Sequence, residues 1–381
     1  MGNLFVCPRC GNSEERYIGY KNGEPYCRRC IRFVGEEAPR TEKHPHPVTL
    51  DLGYPLSKAQ RALSDQILEN FKNGIDTLIY AVCGSGKTEI SYGVIGYAIS
   101  RGLRVGFALP RRDVVIELYH RLQDAFPKEK IVAVYGGNSE ELEGDCVILT
   151  THQLFRYPAY FDLLVMDEID AFPFKGDETL IALYRRSLKG HCVMMSATPS
   201  KELVSEFKKE GKQMLTLHTR FHRHEIPVPK NYVFPGPSKY GFLIWKVRKY
   251  LRKNLPVFIF VPTIESAKHV YKVLAAFFEG GDYVSSQRES RSLIIRRFKE
   301  GKLRYLVTTA VLERGVTVAR LQVIVLSADN EIYDSASLIQ IAGRVGRKAD
   351  APEGEVCFVC DRVTEEMESA IREIRFCNTF L

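Results

Sequence analysis

Three carboxylates stand within four residues in the stretch LLVMDEIDAFPF, where Asp167, Glu168 and Asp170 follow an apolar run. Like charges at this spacing repel one another, so the site is unfavourable unless a cation or hydrogen-bond donors compensate it. The stretch therefore predicts a positively charged partner close to these acids in the fold.

A glycine-rich segment, YAVCGSGKTE, lies between a strand pattern and a helical pattern and suits a phosphate group. Glycines Gly84 and Gly86, with Ser85 between them, let backbone N–H groups turn toward phosphate oxygens at a helix N-terminus. Lys87 can reach the β and γ phosphates of a nucleotide, and the Thr88 hydroxyl can bind Mg²⁺. One position departs from the strict phosphate-loop pattern, because an alanine stands five residues before Gly86. The segment predicts an ATP site that uses Mg²⁺.

This site supplies the cation that the acidic stretch requires. A carboxylate at the end of a neighbouring strand holds magnesium in phosphate-loop NTPases, and Asp167 is placed for that task. Glu168 is the candidate to polarise the water that attacks the γ-phosphate. A solvated acidic turn would explain the charges but not their position at a strand end.

The N-terminal segment contains two Cys-x-x-Cys pairs separated by sixteen residues. This spacing is typical of tetrahedral zinc, because each short knuckle presents two thiolates to one ion. Ten cysteines in a chain without an export signal argue for metal or thiol chemistry rather than a disulfide framework. The predicted zinc ligands are Cys7, Cys10, Cys27 and Cys30.

A third Cys-x-x-Cys pair, Cys357 and Cys360, has no second pair beside it and lies in an apolar strand pattern. A buried packing role is the prediction for both.

Composition agrees with a globular, mildly basic protein. The 381 residues are 45% hydrophobic, and the net charge of +8 suits a polyanionic partner without requiring one. No uninterrupted apolar run reaches the roughly 18 residues of a membrane span, and the N-terminus lacks a signal-peptide pattern. We expect a cytoplasmic protein with no direct membrane insertion, and the sequence leaves peripheral attachment at the inner face of the cell membrane open.

Apolar strands alternate with helical patterns along most of the chain, which predicts an α/β fold with parallel sheets covered on both faces. The length favours two lobes and a small appendage. The predicted domains are a zinc ribbon at 1–35, a linker at 36–51, a first lobe at 52–220, a connector at 221–238 and a second lobe at 239–381.

The segments VCGSGKTE, VMDEIDAF, MSATPS and QIAGRVGRK, in this order, resemble those of superfamily-two helicases and translocases. The resemblance covers both lobes from about Leu52 onward and implies two RecA-like lobes, the first of which binds ATP. It makes Gln60 the candidate adenine reader. It also implies coupling residues that link hydrolysis to lobe movement, namely Asp170, Ser196, Ala197, Thr198 and Gly315. In the second lobe it implies catalytic Gln340 and two arginine fingers, Arg344 and Arg347, that neutralise charge on the transferring phosphoryl group.

The same resemblance implies a track for nucleic acid across both lobes. Small residues, hydroxyls and helix N-termini suit phosphate oxygens and position a strand without reading its sequence. The candidate contacts are Pro110, Arg111, Gly136, Gly137, Thr151, His152, Thr263, Thr308 and Thr309.

More narrowly, the four-cysteine ribbon, DEIDAFPF, TRFHRHEIPVP and LERGVT are similar to the ComFA family of late-competence proteins. This resemblance implies a cytoplasmic ATPase that helps to bring single-stranded DNA through the membrane during natural transformation. It also implies competence partners such as ComFC and the membrane DNA channel. The chain departs from the family in the isoleucine of Asp-Glu-Ile-Asp, where relatives often carry valine, and in its compact length.

Two other functions stay open from the sequence. A replication-restart or repair helicase would share the core but needs an element that splits duplexes. A zinc-ribbon binding module could use ATP only as a switch, although such a module has no need of Glu168, Arg344 and Arg347 together. The ribbon itself could grip DNA through Arg9, Arg28 and Arg29, dock a partner, or only stabilise its segment.

Overall fold

A computed structural model describes the chain at residues 5–82, 84–170, 174, 176–285, 287–288, 290–310 and 316–381. The described residues form two compact units. The first comprises the chain up to Ala81 together with Gly86–Leu217, and the second comprises Val82–Ser85 together with His218–Leu381. None of the helices in the described part of the chain has the length and apolar composition needed to cross a bilayer.

The N-terminal segment folds as a small hairpin within the first unit. Strands β1 (Ile18–Lys21) and β2 (Glu24–Cys27) pair antiparallel. Asn22 and Gly23 between them have positive φ angles of 52° and 83°, which is the geometry that an Asn-Gly hairpin turn favours. The hairpin places Cys27 at the end of β2.

A seven-stranded parallel sheet forms the centre of the first unit, in the order β5-β6-β4-β7-β8-β3-β9. Its strands are β3 (Thr77–Ala81), β4 (Val105–Leu109), β5 (Ile131–Val134), β6 (Cys146–Thr150), β7 (Phe161–Met166), β8 (Leu188–Ser196) and β9 (Gln213–Leu217). The helices are α1 (Lys58–Lys72), α2 (Lys87–Ile90), α3 (Tyr92–Ser100), α4 (Arg112–Ala125), α5 (Glu178–Ser187) and α6 (Lys201–Lys209). Short 3₁₀ helices cover Glu15–Tyr17 and Thr151–Arg156. Every residue of β4 and β6 is buried, as expected for strands of a parallel sheet covered on both faces.

The second unit is built on a six-stranded parallel sheet in the order β10-β15-β14-β11-β13-β12. Its strands are β10 (Lys230–Val233), β11 (Val257–Phe260), β12 (Gly281–Val284), β13 (Tyr305–Thr308), β14 (Gln322–Leu326) and β15 (Val356–Cys360). The helices are α7 (Ser238–Arg252), α8 (Ile264–Ala275), α9 (Arg291–Lys299), α10 (Ser335–Ala342) and α11 (Glu365–Asn378). The predicted α/β class with two parallel-sheet lobes is confirmed. Cys357 and Cys360 are fully buried in β15, as predicted.

The segment predicted as a plain connector, 221–238, contains a strand. Residues of β10 pair in parallel with β15 and form one edge of the second sheet. Only four residues long and flanked by prolines, the segment KNYV offers too little alternation to predict a strand. The pattern TEISYGVIGYAISRG after the phosphate loop predicts one helix, whereas the structure divides it at Ser91 into α2 and α3.

The predicted linker, 36–51, lies along the first unit and contacts it at several points. The amide of Ala38 donates to the carbonyl of Arg156 at 2.8 Å. Further along, the Lys43 ammonium lies 3.0 Å from an Asp145 carboxylate oxygen. The linker is therefore held against the first unit by both backbone and charged contacts.

Candidate nucleotide-binding site and arginine turn

The phosphate loop follows β3 and adopts backbone angles that only glycine takes without cost. Gly84 and Gly86 have φ angles of 83° and 79°, in the left-handed region. Gly86 caps α2, so Lys87 and Thr88 open that helix. Ala81, at the position where the strict pattern has a glycine, is the buried last residue of β3 and does not lie in the left-handed region. An alanine therefore fits at that point.

Gln60 lies against this loop. Its backbone N–H donates to Ser57 Oγ at 3.3 Å, and its Oε1 accepts from the Ser57 N–H at 2.9 Å, so the two residues form a capping box at the start of α1. A Cβ added to Gly86 would lie 2.4 Å from Gln60 Nε2. The structure thus brings the buried Gln60 side chain to the phosphate loop, and its role as adenine reader stays a prediction.

Asp167 directly follows β7, and its N–H donates to the Ala108 carbonyl at 3.1 Å. Burial raises the pKa of the Asp167 carboxyl, and the Lys87 ammonium acts in the opposite direction. The Lys87 charge thus acts on Asp167 in the direction that the clustered acids require. Glu168 has a φ of 57°, which is strained for a residue with a side chain, and its N–H donates to Asp167 Oδ1 at 2.7 Å.

The donor set suits Mg²⁺. This ion prefers oxygen ligands, which the Asp167 carboxylate and the Thr88 hydroxyl provide. A divalent cation would also favour the charged form of Asp167, which burial disfavours.

Asp170 contacts the motif that the sequence paired with it. Its Oδ1 accepts from Ser196 Oγ at 3.0 Å, and its Oδ2 accepts from Thr198 Oγ1 at 2.8 Å. The Thr198 N–H donates to Ser196 Oγ at 3.0 Å, and Ala197 is buried between the two. These hydrogen bonds tie the acidic stretch to the end of β8. The fifth predicted coupling residue, Gly315, lies outside the described residues.

The arginine turn, defined as Gly343–Arg347, follows α10 in the second unit. Gln340 and Arg344 are buried. The Arg344 guanidinium donates from Nη1 to the Val316 carbonyl at 3.1 Å, and Arg347 donates from Nε to the Gly343 carbonyl at 2.9 Å. Both predicted arginine fingers are thus held by backbone carbonyls of their own unit.

Two arginines at these sites have no sequence signal. Arg121, in α4, pairs with Glu89, which directly follows Thr88. Arg220 is only 2% exposed and donates to the arginine turn. Each is far in sequence from its partner, so only the tertiary structure identifies it.

Of the candidate nucleic-acid contacts in the first unit, Gly136 and Gly137 are exposed in the turn after β5, and a Cβ on either would meet nothing within 4 Å. Pro110 and Arg111 connect β4 to α4. Thr151 is buried. His152 is partly buried, and burial lowers its pKa, assisted by the charge of Arg32.

In the second unit, Thr263 is exposed and caps α8, its Oγ1 accepting from the Ser266 N–H at 3.0 Å. Thr308 is buried and donates to the Thr309 carbonyl at 3.0 Å. Burial thus removes the hydroxyls of Thr151 and Thr308 from the surface, which does not favour the predicted direct contacts from these side chains.

The four N-terminal cysteines converge on one point. Their sulfurs all lie within 4.8 Å of one another, with Cys7–Cys30 at 3.6 Å and Cys10–Cys27 at 3.7 Å. A tetrahedral zinc with Zn–S bonds of about 2.3 Å requires sulfurs about 3.8 Å apart. The thiol set therefore fits zinc in both ligand type and spacing.

The ribbon packs on the rest of the first unit through Phe33, which is 4% exposed. Its ring centroid lies 6.0 Å from that of Phe155 and 6.0 Å from that of His152. Arg29 pairs with Glu178 of α5 at 2.5 Å, and Arg32 lies 3.3 Å from Asp177. Arg29, considered from the sequence as a phosphate contact, is thus engaged with carboxylates of its own chain.

Sequence profiles of two families match the chain, "DEAD/DEAH box helicase" at residues 57–207 and "Helicase conserved C-terminal domain" at residues 243–349. Competence protein ComFA of Bacillus subtilis (strain 168) is 34% identical over 98% of this chain and 86% of its own length. The chain belongs to the ComFA family. Competence protein ComFA of Streptococcus pneumoniae (strain R6) is 33% identical over 99% of this chain and 91% of its own length.

A solved structure, S. cerevisiae Dbp5 bound to RNA and ADP BeF3, superimposes with a TM-score of 0.67 at 18% identity and covers 86% of this chain and 88% of Dbp5. Each sheet of this ComFA-family protein is thus the core of a RecA-like lobe. With both helicase domains present, the protein is an ATP-hydrolysing superfamily-two helicase.

Proposed function

We propose that the protein is an ATP-driven translocase on single-stranded DNA and that it drives DNA uptake across the membrane during natural transformation. The observation that carries the proposal is the pair of hydrogen bonds from Ser196 and Thr198 to Asp170. These bonds connect the acidic stretch that contains Asp167 to the end of strand β8. The near full-length similarity to two competence proteins supports the biological setting.

In the proposed mechanism the phosphate loop and Lys87 hold the phosphates of ATP. Asp167 and Thr88 would hold Mg²⁺, which would neutralise phosphate charge when bound. Glu168 orients the attacking water, and Arg344 and Arg347 neutralise charge on the transferring phosphoryl group. Asp170 transmits the change at the phosphates to Ser196–Thr198. Repeated closing and opening of the lobes would then move the strand.

We also propose zinc as the ion of the four-cysteine cluster, with a structural role. Zinc bound by four thiolates stabilises short segments that cannot form a hydrophobic core. Single-stranded DNA is the proposed nucleic-acid partner, and ComFC and the membrane DNA channel are the proposed protein partners.

The experiment is to measure ATP hydrolysis with single-stranded DNA, duplex DNA and RNA of several lengths. We expect single strands to stimulate the rate, and equal rates with and without them would refute a motor. Lys87→Ala should abolish hydrolysis while DNA binding persists, whereas the exposed control Lys58→Ala should resemble wild type. Hydrolysis that survives Lys87→Ala would refute the phosphate-loop assignment.

Two outcomes would favour the other functions. Efficient displacement of a strand from a forked duplex would indicate a repair-type helicase. ATP binding without turnover, under all nucleic-acid conditions, would indicate a module that uses ATP only as a switch.

A further inference from the structure

Arg220 lies in the segment HTRFHRH, just after the first unit ends, and is among the most deeply buried large side chains of the protein. Its guanidinium donates three hydrogen bonds to the arginine turn. Nη1 donates to the carbonyls of Val345 at 2.9 Å and Gly346 at 2.7 Å, and Nη2 donates to the Gly343 carbonyl at 3.3 Å. A single planar side chain thus binds three peptide groups of one five-residue turn.

The turn needs such donors. Helix α10 ends with the N–H groups of Gly343, Arg344 and Val345 bonded to carbonyls within that helix. The carbonyls of Gly343, Val345 and Gly346 belong to buried residues, where an unpaired carbonyl is costly. Arg220 supplies donors to all three.

Arg220 and Arg347 share an acceptor. The Gly343 carbonyl accepts from Arg347 Nε at 2.9 Å and from Arg220 Nη2 at 3.3 Å. The position of the Arg347 guanidinium therefore depends on the same peptide group that Arg220 holds. The peptide group that precedes Arg344 is restrained as well, because its Gly343 carbonyl accepts from Arg220, and so is the peptide group that follows Val345.

The residues next to Arg220 reinforce the contact. His222 lies with Nε2 3.0 Å from the Gly346 carbonyl, a second donor to that oxygen. Gly346 has a φ of 66°, and a Cβ there would lie 2.1 Å from the Pro352 carbonyl oxygen, so this position of the turn requires glycine. The Phe221 N–H donates to the carbonyl of Gly84, at 3.1 Å, within the same unit. The segment 220–222 thus contacts both the arginine turn and the phosphate-loop residue Gly84.

We propose that Arg220 is a positioning residue for ATP hydrolysis, which orients Arg344 and Arg347 by holding the carbonyls of the arginine turn without touching the nucleotide. The proposal rests on the proposed roles of those two arginines. Lysine cannot replace Arg220, because one ammonium on a flexible stem cannot reproduce the fixed fork that reaches three carbonyls.

The test compares Arg220→Lys with Arg223→Lys, an exposed arginine of the same segment that serves as the matched control. We expect Arg220→Lys to lower kcat by about 10- to 100-fold, the range that a small misplacement of catalytic groups causes. Its Kd for a fluorescent ATP analogue should stay near that of wild type, because none of the residues predicted to bind the nucleotide is changed and the Phe221 N–H that contacts Gly84 is kept. Arg223→Lys should resemble wild type in both. Unchanged kcat in a folded Arg220→Lys protein would overturn the proposal.

A double-mutant cycle with Arg347→Ala separates positioning from general destabilisation. If Arg220 acts through Arg347, then Arg220→Lys should lower kcat far less in the Arg347→Ala background than in wild type. Independent, multiplying losses would contradict the proposal. If Arg220→Lys does not fold, His222→Ala serves as the second variant, because it removes one of the two donors to the Gly346 carbonyl. We expect this variant to lower kcat severalfold with an unchanged Tm. An unchanged kcat would again overturn the inference. Absence of ATPase activity in wild type would instead refute the proposed function.

Discussion

The ribbon should depend on one aromatic side chain for its attachment to the first lobe. Phe33 is 4% exposed and packs on Phe155 and His152, and its backbone contacts both zinc knuckles. Its N–H donates to the Cys30 carbonyl at 3.0 Å, and its carbonyl accepts from Arg9 Nη1 at 2.6 Å. We predict that Phe33→Ala releases the ribbon from the lobe while the zinc stays bound.

The magnitude follows from burial. Truncation of a buried phenylalanine to alanine costs about 3–5 kcal/mol. At about 1.4 kcal/mol per tenfold change, this shifts the ratio of docked to released ribbon by about 10²- to 4 × 10³-fold. The ion pairs of Arg29 and Arg32 lie at the surface, where each such pair contributes about 0–1 kcal/mol. Arg29→Ala and Arg32→Ala together should therefore release the ribbon far less than Phe33→Ala.

Hydrogen exchange across residues 31–40 measures the release, because the Ala38 amide is bonded to the Arg156 carbonyl in the docked state. Zinc content is measured on the same samples. The expected result is fast exchange with full zinc in Phe33→Ala and near wild-type exchange in the double arginine variant. Protection that persists in Phe33→Ala, or a larger effect from the arginine pair, would show that Phe33 does not hold the ribbon on the lobe. A parallel loss of single-strand affinity would connect docking to His152, whose ring packs on Phe33.

Two further predictions concern coupling and pH. Thr198→Val removes the hydroxyl that donates to Asp170 Oδ2, and a hydrogen bond to a carboxylate contributes about 1.5–3 kcal/mol. Because this bond is proposed to couple hydrolysis to lobe movement, the rate of stepping on single-stranded DNA should fall much more than the basal rate of ATP hydrolysis. Ser200→Ala, which removes a hydroxyl that caps α6 instead, is the control, and equal losses of stepping in both variants would contradict a coupling role. Burial and the charge of Arg220 lower the pKa of His222, whose Nδ1 accepts from the His224 N–H while its Nε2 lies at the Gly346 carbonyl. As the pH falls, the imidazole of residue 222 therefore takes up a proton in the unfolded chain before it does so in the folded protein. The free energy of unfolding should decrease as the pH falls below about 6.5. The Tm of wild type should drop more between pH 8 and pH 5.5 than that of His222→Gln, and equal drops would exclude His222 as the cause.

Some elements of this fold depend on residues close in sequence, and others depend on residues far apart. Helix α1, most strands and the packing of Cys357 and Cys360 in β15 follow from apolar periodicity, which acts over a few residues. Strand β10 was not predicted, because its place in the sheet comes from pairing with β15 more than a hundred residues later. The break at Ser91 and the burial of Thr151 and Thr308 likewise depend on neighbours that are distant in sequence.

The sequence alone determined the chemistry, because the phosphate loop, the paired acids, the arginine motif and the four cysteines each require fixed residue types at short spacings. Which of these side chains contact one another could be seen only in the folded structure. It brought Asp167 within the electrostatic influence of Lys87, bonded Asp170 to Thr198, packed the ribbon on His152 through Phe33 and set Arg220 on the carbonyls of the arginine turn. The physical reason is that hydrogen bonds, ion pairs and packing act over a few ångströms in space, whereas these partners lie up to 126 residues apart along the chain.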